Sequence, residues 1–170
     1  MGGPCRRGSG HDPIIDLVVD SGNPVVPISV EGYPYFVLRF ARSTPREAGG
    51  VLVIDAANVI GSRPTGWWRD RPGAARQFAE RVRAGVADGV LDPPVTIVLE
   101  GRARSGVEEG DVAGVAVVHA PGEGDDTIAA IAAAHPGSTV ITADRELADR
   151  TRAVDATVVG PTWLLDRLDD

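Results

Sequence analysis

Aspartates follow strand-like apolar segments at three places in the chain. Asp55 comes directly after VLVI, Asp125 and Asp126 follow VAVV within the stretch HAPGEGDD, and Asp144 ends the segment VITAD. Several carboxylates brought together repel one another unless a cation lies between them, and oxygen ligands are those that Mg²⁺ and Mn²⁺ prefer. A cation held in this way can activate a water and stabilise a phosphodiester during in-line displacement. The candidate metal ligands are therefore Asp55, Asp125, Asp126 and Asp144.

Each aspartate also has a simpler explanation as a helix cap. Aspartate at a helix N-terminus stabilises the helix by about 0.5–2 kcal/mol. Asp125, Asp126 and Asp144 each stand near the start of a helix-like segment, whereas Asp55 is followed by AANVIG, which shows no obvious helix. Asn58 within that segment forms an Asx turn, orients Asp55 or binds a metal-bound water. Three strand ends taken together favour a shared site over capping alone.

A loop rich in arginine and tryptophan, GSRPTGWWRDRPGAAR, follows Asp55 and should lie beside the same site. Arginine pairs with phosphate and aromatic rings stack on unpaired bases, which is a combination typical of proteins that bind single strands. The alternative is that one tryptophan covers the core and the arginines pair with nearby acids. Two further arginines follow the second predicted strand. The candidate RNA contacts are Arg63, Trp67, Trp68, Arg69, Arg71, Arg102 and Arg104.

A parallel sheet would bring these residues together. Short β-branched segments alternate with helix-like segments from Val51 onward, which predicts an α/β fold: a three-layer α/β/α sandwich with a mostly parallel five-stranded sheet. Sites in such sheets form beyond the carboxyl ends of the strands, where the aspartates fall. Strands are predicted at 51–54, 95–99, 115–118, 139–142 and 156–159. Helices are predicted at 73–87, 126–134, 145–153 and 162–168.

The composition excludes several classes of protein. All 17 basic residues are arginine, so the chain has no lysine for a P-loop, a Schiff base or a kinase strand. Receiver domains and haloacid-dehalogenase-like phosphatases also place aspartates at strand ends, but they require a lysine. The single cysteine, Cys5, cannot build a disulfide framework or a cysteine metal site. Without a membrane-length apolar run or a signal-peptide pattern, we expect a cytoplasmic protein.

Residues 1–49 differ from the remainder of the chain. This segment is interrupted by prolines, and its five arginines balance its five acids, so the net charge of −7 belongs to residues 51–170, with 12 arginines and 19 acids. We predict an N-terminal extension of unknown role at 1–49 and one globular domain at 50–170.

Residues 51–170 resemble an NYN domain of the PIN-like nuclease superfamily, a group of metal-dependent ribonucleases. The matching segments are VLVIDAAN, GEGDDTI and VITADREL, in this order on successive strands. The resemblance implies a PIN-like fold for the domain and catalytic roles for a set of residues. These residues are Asp55, Asn58, Asp125, Asp126 and Asp144.

Within that set, the resemblance implies that the core metal ligands are Asp55, Asp125 and Asp144. Thr142 matches a small hydroxyl residue two positions before the last acid. The chain departs from the family pattern in the first long helix, where no clear fourth acid is present and Asp70 and Glu80 are only loose matches; an exposed helix start explains Asp70 better.

The resemblance also implies an activity. We expect a Mg²⁺- or Mn²⁺-dependent endoribonuclease that acts on single-stranded or structured RNA through an activated water, without a side-chain nucleophile, and that forms a homodimer. Two alternatives remain open. One is a module of the same fold that binds RNA or a protein partner without cleaving, and the other is a metal-dependent nucleotide phosphohydrolase.

Overall fold

The computed structural model describes residues 50–169, so the extension at 1–49 lies outside the described residues, as does Asp170. The strands are β1 (Leu52–Asp55), β2 (Val95–Leu99), β3 (Gly110–Val112), β4 (Val115–His119), β5 (Thr139–Ile141) and β6 (Thr157–Val159). The helices are α1 (Ala56–Gly61), α2 (Arg71–Ala87), α3 (Gly124–Ala134), α4 (Arg145–Arg152) and α5 (Pro161–Asp169). Two 3₁₀ helices span Trp67–Arg69 and Gly101–Gly106.

The strands form one sheet in the order β3-β4-β2-β1-β5-β6. All neighbouring pairs are parallel except β3 and β4, which are antiparallel. The prediction of an α/β fold with a mostly parallel sheet is confirmed, but the sheet has six strands and not five. The missed strand, β3, is only three exposed residues long and is joined to β4 by Ala113 and Gly114, both at positive φ. Such a short polar strand shows no apolar periodicity.

The two central strands are buried along their whole length, as expected for parallel strands covered on both faces. Successive side chains of a strand point to opposite faces, and two hydrophobic clusters follow this alternation. Leu52 and Ile54 belong to a cluster that includes residues of α1, α2 and α5. Val51 and Val53 belong to a second cluster that includes residues of α3 and α4.

The helices match the predicted segments to within two residues at either end, with one exception. Helix α1 was not expected, because the six residues that follow Asp55 are too few to show a helical period. Helix α2 begins at Arg71, and Pro72 occupies its first turn as predicted. Within residues 50–169, no helix has the length and apolar character needed to cross a membrane.

The chain reverses its direction of progress across the sheet after β4. From β1 it proceeds to β2 and β4, and it then returns through α3 to β5 on the opposite side of β1. Ligands of open α/β sheets bind at such a switch point, beyond the carboxyl ends of the strands. In this protein the switch point lies between β1 and β5, where Asp55 ends the first of these strands.

Candidate metal and nucleic-acid site

Asp55 is a buried carboxylate whose two oxygens both accept hydrogen bonds. It is 5% exposed. Its Oδ1 accepts the backbone N–H of Asn58 at 3.0 Å, which makes Asp55 the N-cap of α1. Its Oδ2 accepts the Asn58 Nδ2–H at 2.7 Å. A helix therefore follows Asp55 although the sequence showed no obvious one, and Asp55 caps it. Of the three roles considered for Asn58, the structure shows the one in which its side chain orients Asp55.

Thr142 joins the ends of β1 and β5. Its hydroxyl, buried with the rest of the side chain, donates to Asp55 Oδ2 at 2.8 Å. The Thr142 hydroxyl oxygen in turn accepts the backbone N–H of Asp144 at 3.1 Å. A continuous chain of hydrogen bonds thus runs from Asp144 through Thr142 to Asp55, and it fixes the relative positions of the two acids across neighbouring strands.

Asp144 is the N-cap of α4, because its Oδ1 accepts the backbone N–H of Leu147 at 2.8 Å. No group in the described part of the chain donates to its second oxygen. Asp144 also lines a cleft of about 340 Å³ between α4 and the end of β6. Its carboxylate is therefore anchored on one side and open on the other, as a ligand-binding carboxylate must be.

Asp125 lies in the first turn of α3 but does not cap it. The N-cap position belongs to Glu123, and no residue between 50 and 169 donates a hydrogen bond to the Asp125 carboxylate. The pKa of Asp125 is raised above its ordinary value by partial burial and then by the negative charges of Asp144 and Asp55. The charges at the three strand ends thus influence one another, and Arg150 offsets the effect on Asp125 only in part.

Glu100 is an acid that the sequence analysis did not consider as a site residue. It follows β2 directly, and its Oε2 accepts the backbone N–H of Gly124 at 2.6 Å at the start of α3. Its charge also raises the pKa of Asp125. The signal was present in the sequence, because Glu100 follows a buried apolar strand just as Asp55 does.

Asp126, also predicted to bind metal, faces another direction. Its side chain is 90% exposed, and its Oδ1 accepts a hydrogen bond from Arg150 Nη2 at 2.6 Å. Asp55 and Asp144 therefore lie within electrostatic range of Asp125, whereas Asp126 stands in a surface ion pair. Of the two loose candidates for a fourth acid, Asp70 caps α2 at the exposed Gly73 N–H, at 2.9 Å, and Glu80 is exposed in the middle of α2.

The donor set beyond the carboxyl ends of these strands fits a hard divalent cation. All of its side-chain donors are oxygens, and burial followed by the negative charges of Asp144 and Asp55 raises the pKa of Asp125. Across residues 50–169, no three acids, histidines or cysteines lie close enough together to hold a metal ion directly. Mg²⁺ usually retains several waters and binds through only one or two carboxylates, so a largely hydrated cation suits this spacing.

The tryptophan loop has one anchored ring and one exposed ring. Trp67 is partly buried, and the guanidinium of Arg71 lies 5.2 Å from its ring centroid. Trp68 meets Trp67 edge to face, with ring centroids 6.2 Å apart, and is 52% exposed. Arg69 is also exposed. Trp68 is therefore a ring fixed by its neighbour with a face open to solvent, which is the arrangement that base stacking needs.

The arginines predicted to contact RNA fall into two groups. Arg63 forms an ion pair with Asp169 at 2.5 Å, and Arg81 pairs with the same carboxylate, whose pKa these arginines lower. Arg102 and Arg104 form no ion pair with any residue from 50 to 169. The alternative in which the loop arginines pair with local acids therefore holds for Arg63 and not for Arg69 or Arg71, which form no ion pair with any residue from 50 to 169.

Comparison with known proteins gives no match: no protein-family model, no curated protein and no solved structure matches this chain.

Proposed function

We propose that this protein is a metal-dependent endoribonuclease of the PIN-like kind, with a three-layer α/β/α domain at 50–170. The observation that carries the proposal is the convergence of Asp55, Asp125 and Asp144 at the switch point of a parallel sheet. Capping accounts for two of these acids but not for Asp125, which caps nothing and is repelled by the other two. A protein gains no stability from this arrangement unless a cation completes it.

The proposed cation binds among Asp55, Asp125 and Asp144, with Glu100 close to Asp125, and supplies Lewis-acid activation of water and neutralisation of phosphate charge. The residues of the chain hold and orient this site. Asn58 and Thr142 fix the Asp55 carboxylate by hydrogen bonds at 2.7 and 2.8 Å. Such supporting contacts keep ligand oxygens in position and preserve their charge.

RNA is the proposed substrate, because groups that bind it follow β1 and β2 in the chain, the strands that lead to Asp55 and Glu100. Trp68 offers an exposed ring for a base, and Arg69 and Arg71 lie beside it in the sequence. Arg102 and Arg104 supply positive charge after β2. A locally basic surface can bind a polyanion even when the net charge of the protein is negative.

A second candidate function is RNA binding without cleavage. The exposed ring of Trp68 and the unpaired guanidiniums favour it, since neither depends on a metal. The acids argue for cleavage, because a protein that only binds a polyanion is weakened by carboxylates beside its binding surface.

Cleavage of a labelled RNA of mixed sequence tests the proposal. We expect wild type to cut with Mn²⁺ or Mg²⁺, to stop in EDTA, and to lose the activity in Asp55→Asn, which keeps the capping interaction but removes the charge. Asp70→Asn is the matched control, because it makes the same change at a helix cap away from the sheet edge, and it should cut like wild type. Equal cleavage by wild type and Asp55→Asn would refute the nuclease proposal.

A further inference from the structure

A cleft of about 430 Å³ opens beside the second 3₁₀ helix, next to the carboxyl ends of β2 and β4. We call it the arginine cleft; it is lined by Pro72, Gly101, Arg102, Arg104, Ser105 and His119. His119 is the last residue of β4, which lies two strands from β1. Because neighbouring strands are about 4.8 Å apart, the cleft is about 10 Å along the edge from Asp55.

Neutral backbone carbonyls hold one guanidinium at this cleft and a second one at the end of the adjacent 3₁₀ helix. Arg104 donates its Nε–H to the Gly101 carbonyl at 3.1 Å and its Nη1–H to the Ala120 carbonyl at 3.2 Å. Arg76, from α2, donates its Nε–H to the carbonyl of Gly106, the last residue of the 3₁₀ helix, at 3.3 Å. Carbonyls orient a guanidinium without cancelling its charge, so both side chains keep positive charge and free donors for a ligand.

Four arginines of the domain are neutralised by acids. Ion pairs between described residues occupy the guanidiniums of Arg63, Arg81, Arg150 and Arg152. No carboxylate of residues 50–169 forms an ion pair with Arg76, Arg102 or Arg104. The positive charge of Arg102 and Arg104 at the cleft is therefore not cancelled by an ion pair with any described residue, and an anion from outside the chain can supply the opposite charge.

We propose that the arginine cleft is a subsite for a backbone phosphate of RNA. This phosphate neighbours the one that is cleaved at the acidic edge, the site of Asp55, Asp125 and Asp144. This inference rests on the proposed nuclease function and names its substrate class. Guanidinium groups match the geometry of phosphate oxygens and bind them through charge-assisted hydrogen bonds. A strand fills the acidic edge and the cleft at once, whereas a nucleoside monophosphate has one phosphate and fills only one of them. The substrate is therefore an oligonucleotide and not a free nucleotide.

Binding of a short labelled single-stranded RNA to the full chain in EDTA, at several salt concentrations, tests the subsite. Arg102→Ala and Arg104→Ala should each weaken binding about fivefold at ~0.1 M salt and reduce the salt slope by about 0.7, the value for one lost contact to a single strand. Arg81→Ala and Arg152→Ala are matched controls that remove the same charge from ion-paired positions. They should change the affinity by less than about twofold.

Unchanged binding by the cleft variants, or an equal loss in the two controls, would overturn the subsite. Displacement of the RNA by an acidic peptide or by a nucleoside monophosphate as effectively as by unlabelled RNA would also overturn it. The metal-dependent cleavage assay separates this inference from the proposed function. Cleavage with no effect of the cleft variants would refute the subsite alone, and cleft-dependent binding without any cleavage would refute the nuclease alone.

Discussion

Asp55 and Asp70 perform the same local task in very different surroundings. Each accepts the backbone N–H three residues later and caps the helix that follows, at 3.0 Å in α1 and 2.9 Å in α2. Asp70 is exposed and makes only this contact with a backbone amide. Asp55 is buried, accepts two further hydrogen bonds from Asn58 and Thr142, and lies near Asp125 and Asp144.

The comparison shows that capping does not decide whether an aspartate is functional. A cap needs one carboxylate oxygen and a helix N-terminus, and Asp70 satisfies both without any cost of burial. Asp125, by contrast, caps nothing, and its charge near those of Asp55 and Asp144 is unfavourable for the fold. The difference between the two sites lies in the contacts beyond the cap, and substitutions that separate these contacts from the cap should separate activity from stability.

The largest effect is expected at Asp144. Asparagine caps a helix as well as aspartate does, so Asp144→Asn should keep the thermal stability of wild type and lower RNA cleavage at least about 100-fold. Asp70→Ala should behave in the opposite way, with about 1 kcal/mol lost from the free energy of unfolding and full cleavage activity. Chemical denaturation and initial cleavage rates measure the two quantities.

These two variants also show how the comparison could fail. If Asp144→Asn retains wild-type cleavage, the acids at the sheet edge are caps of the same kind as Asp70. If Asp70→Ala loses cleavage while it remains folded, the start of α2 belongs to the active site and the distinction drawn between the two regions is wrong.

A smaller effect is expected at Thr142. Thr142→Val keeps the shape of the side chain but removes the hydrogen bond to Asp55 and the acceptor for the Asp144 N–H. We expect cleavage to fall about 10-fold, because supporting contacts of a metal site typically contribute that much, and stability to fall by about 1–2 kcal/mol.

Thr151→Val is the matched control for Thr142. Thr151 is also fully buried, but its hydroxyl bonds only to the Leu147 and Ala148 carbonyls of its own helix. It should change stability without changing the cleavage rate of the folded protein. Equal losses of activity in the two valine variants would show that Thr142 acts through general packing and not through Asp55.

The smallest effect is a gain in stability at Asp125. Its folded-state pKa is raised, so its charged form is disfavoured in the fold and reduces stability above that pKa. Asp125→Asn in EDTA should therefore raise the melting temperature at pH 7 by about 2–4 °C, since repulsion between partly exposed charges is worth under about 1 kcal/mol. Differential scanning calorimetry measures the shift.

The pH dependence gives the sign of this effect independently. The penalty is complete above the raised pKa, declines as the pH falls through it, and disappears below the ordinary value of 3.8. The difference between Asp125→Asn and wild type should shrink over the same range. A lower melting temperature for Asp125→Asn at pH 7 would mean that the carboxylate is stabilised by contacts of its own, contrary to the account.

Sequence patterns predicted most of the sheet because its central strands are buried on both faces. VLVI and VTIVL are short apolar segments with turn-forming residues on either side, and this pattern is typical of buried parallel strands. The outermost strand of the sheet, β3, shows no such pattern. Strand β3 is exposed and is joined to β4 by a turn at Ala113 and Gly114. A three-residue exposed strand and these two turn residues do not differ in sequence from a loop.

The site was predictable only in part, for a physical reason. The placement of acids after strands follows from the parallel sheet, so Asp55, Asp125 and Asp144 could be identified from their positions. The direction in which a side chain points depends on tertiary contacts, and the pairing of Asp126 with Arg150 and of Arg63 with Asp169 could not be read from spacing. Glu100 was missed although its position follows the same rule as that of Asp55.

Binding of Mn²⁺ tests the central claim most directly, namely that the acids of the sheet edge hold a divalent cation. Electron paramagnetic resonance of free Mn²⁺ would be recorded during titration of wild type, of Asp125→Asn/Asp144→Asn and of the control Asp126→Asn/Asp149→Asn, which removes two exposed charges from surface ion pairs. The account predicts a saturable site in wild type and in the control, and its loss in the sheet-edge variant. Saturable binding that persists in the sheet-edge variant, or its absence in wild type, would contradict the account.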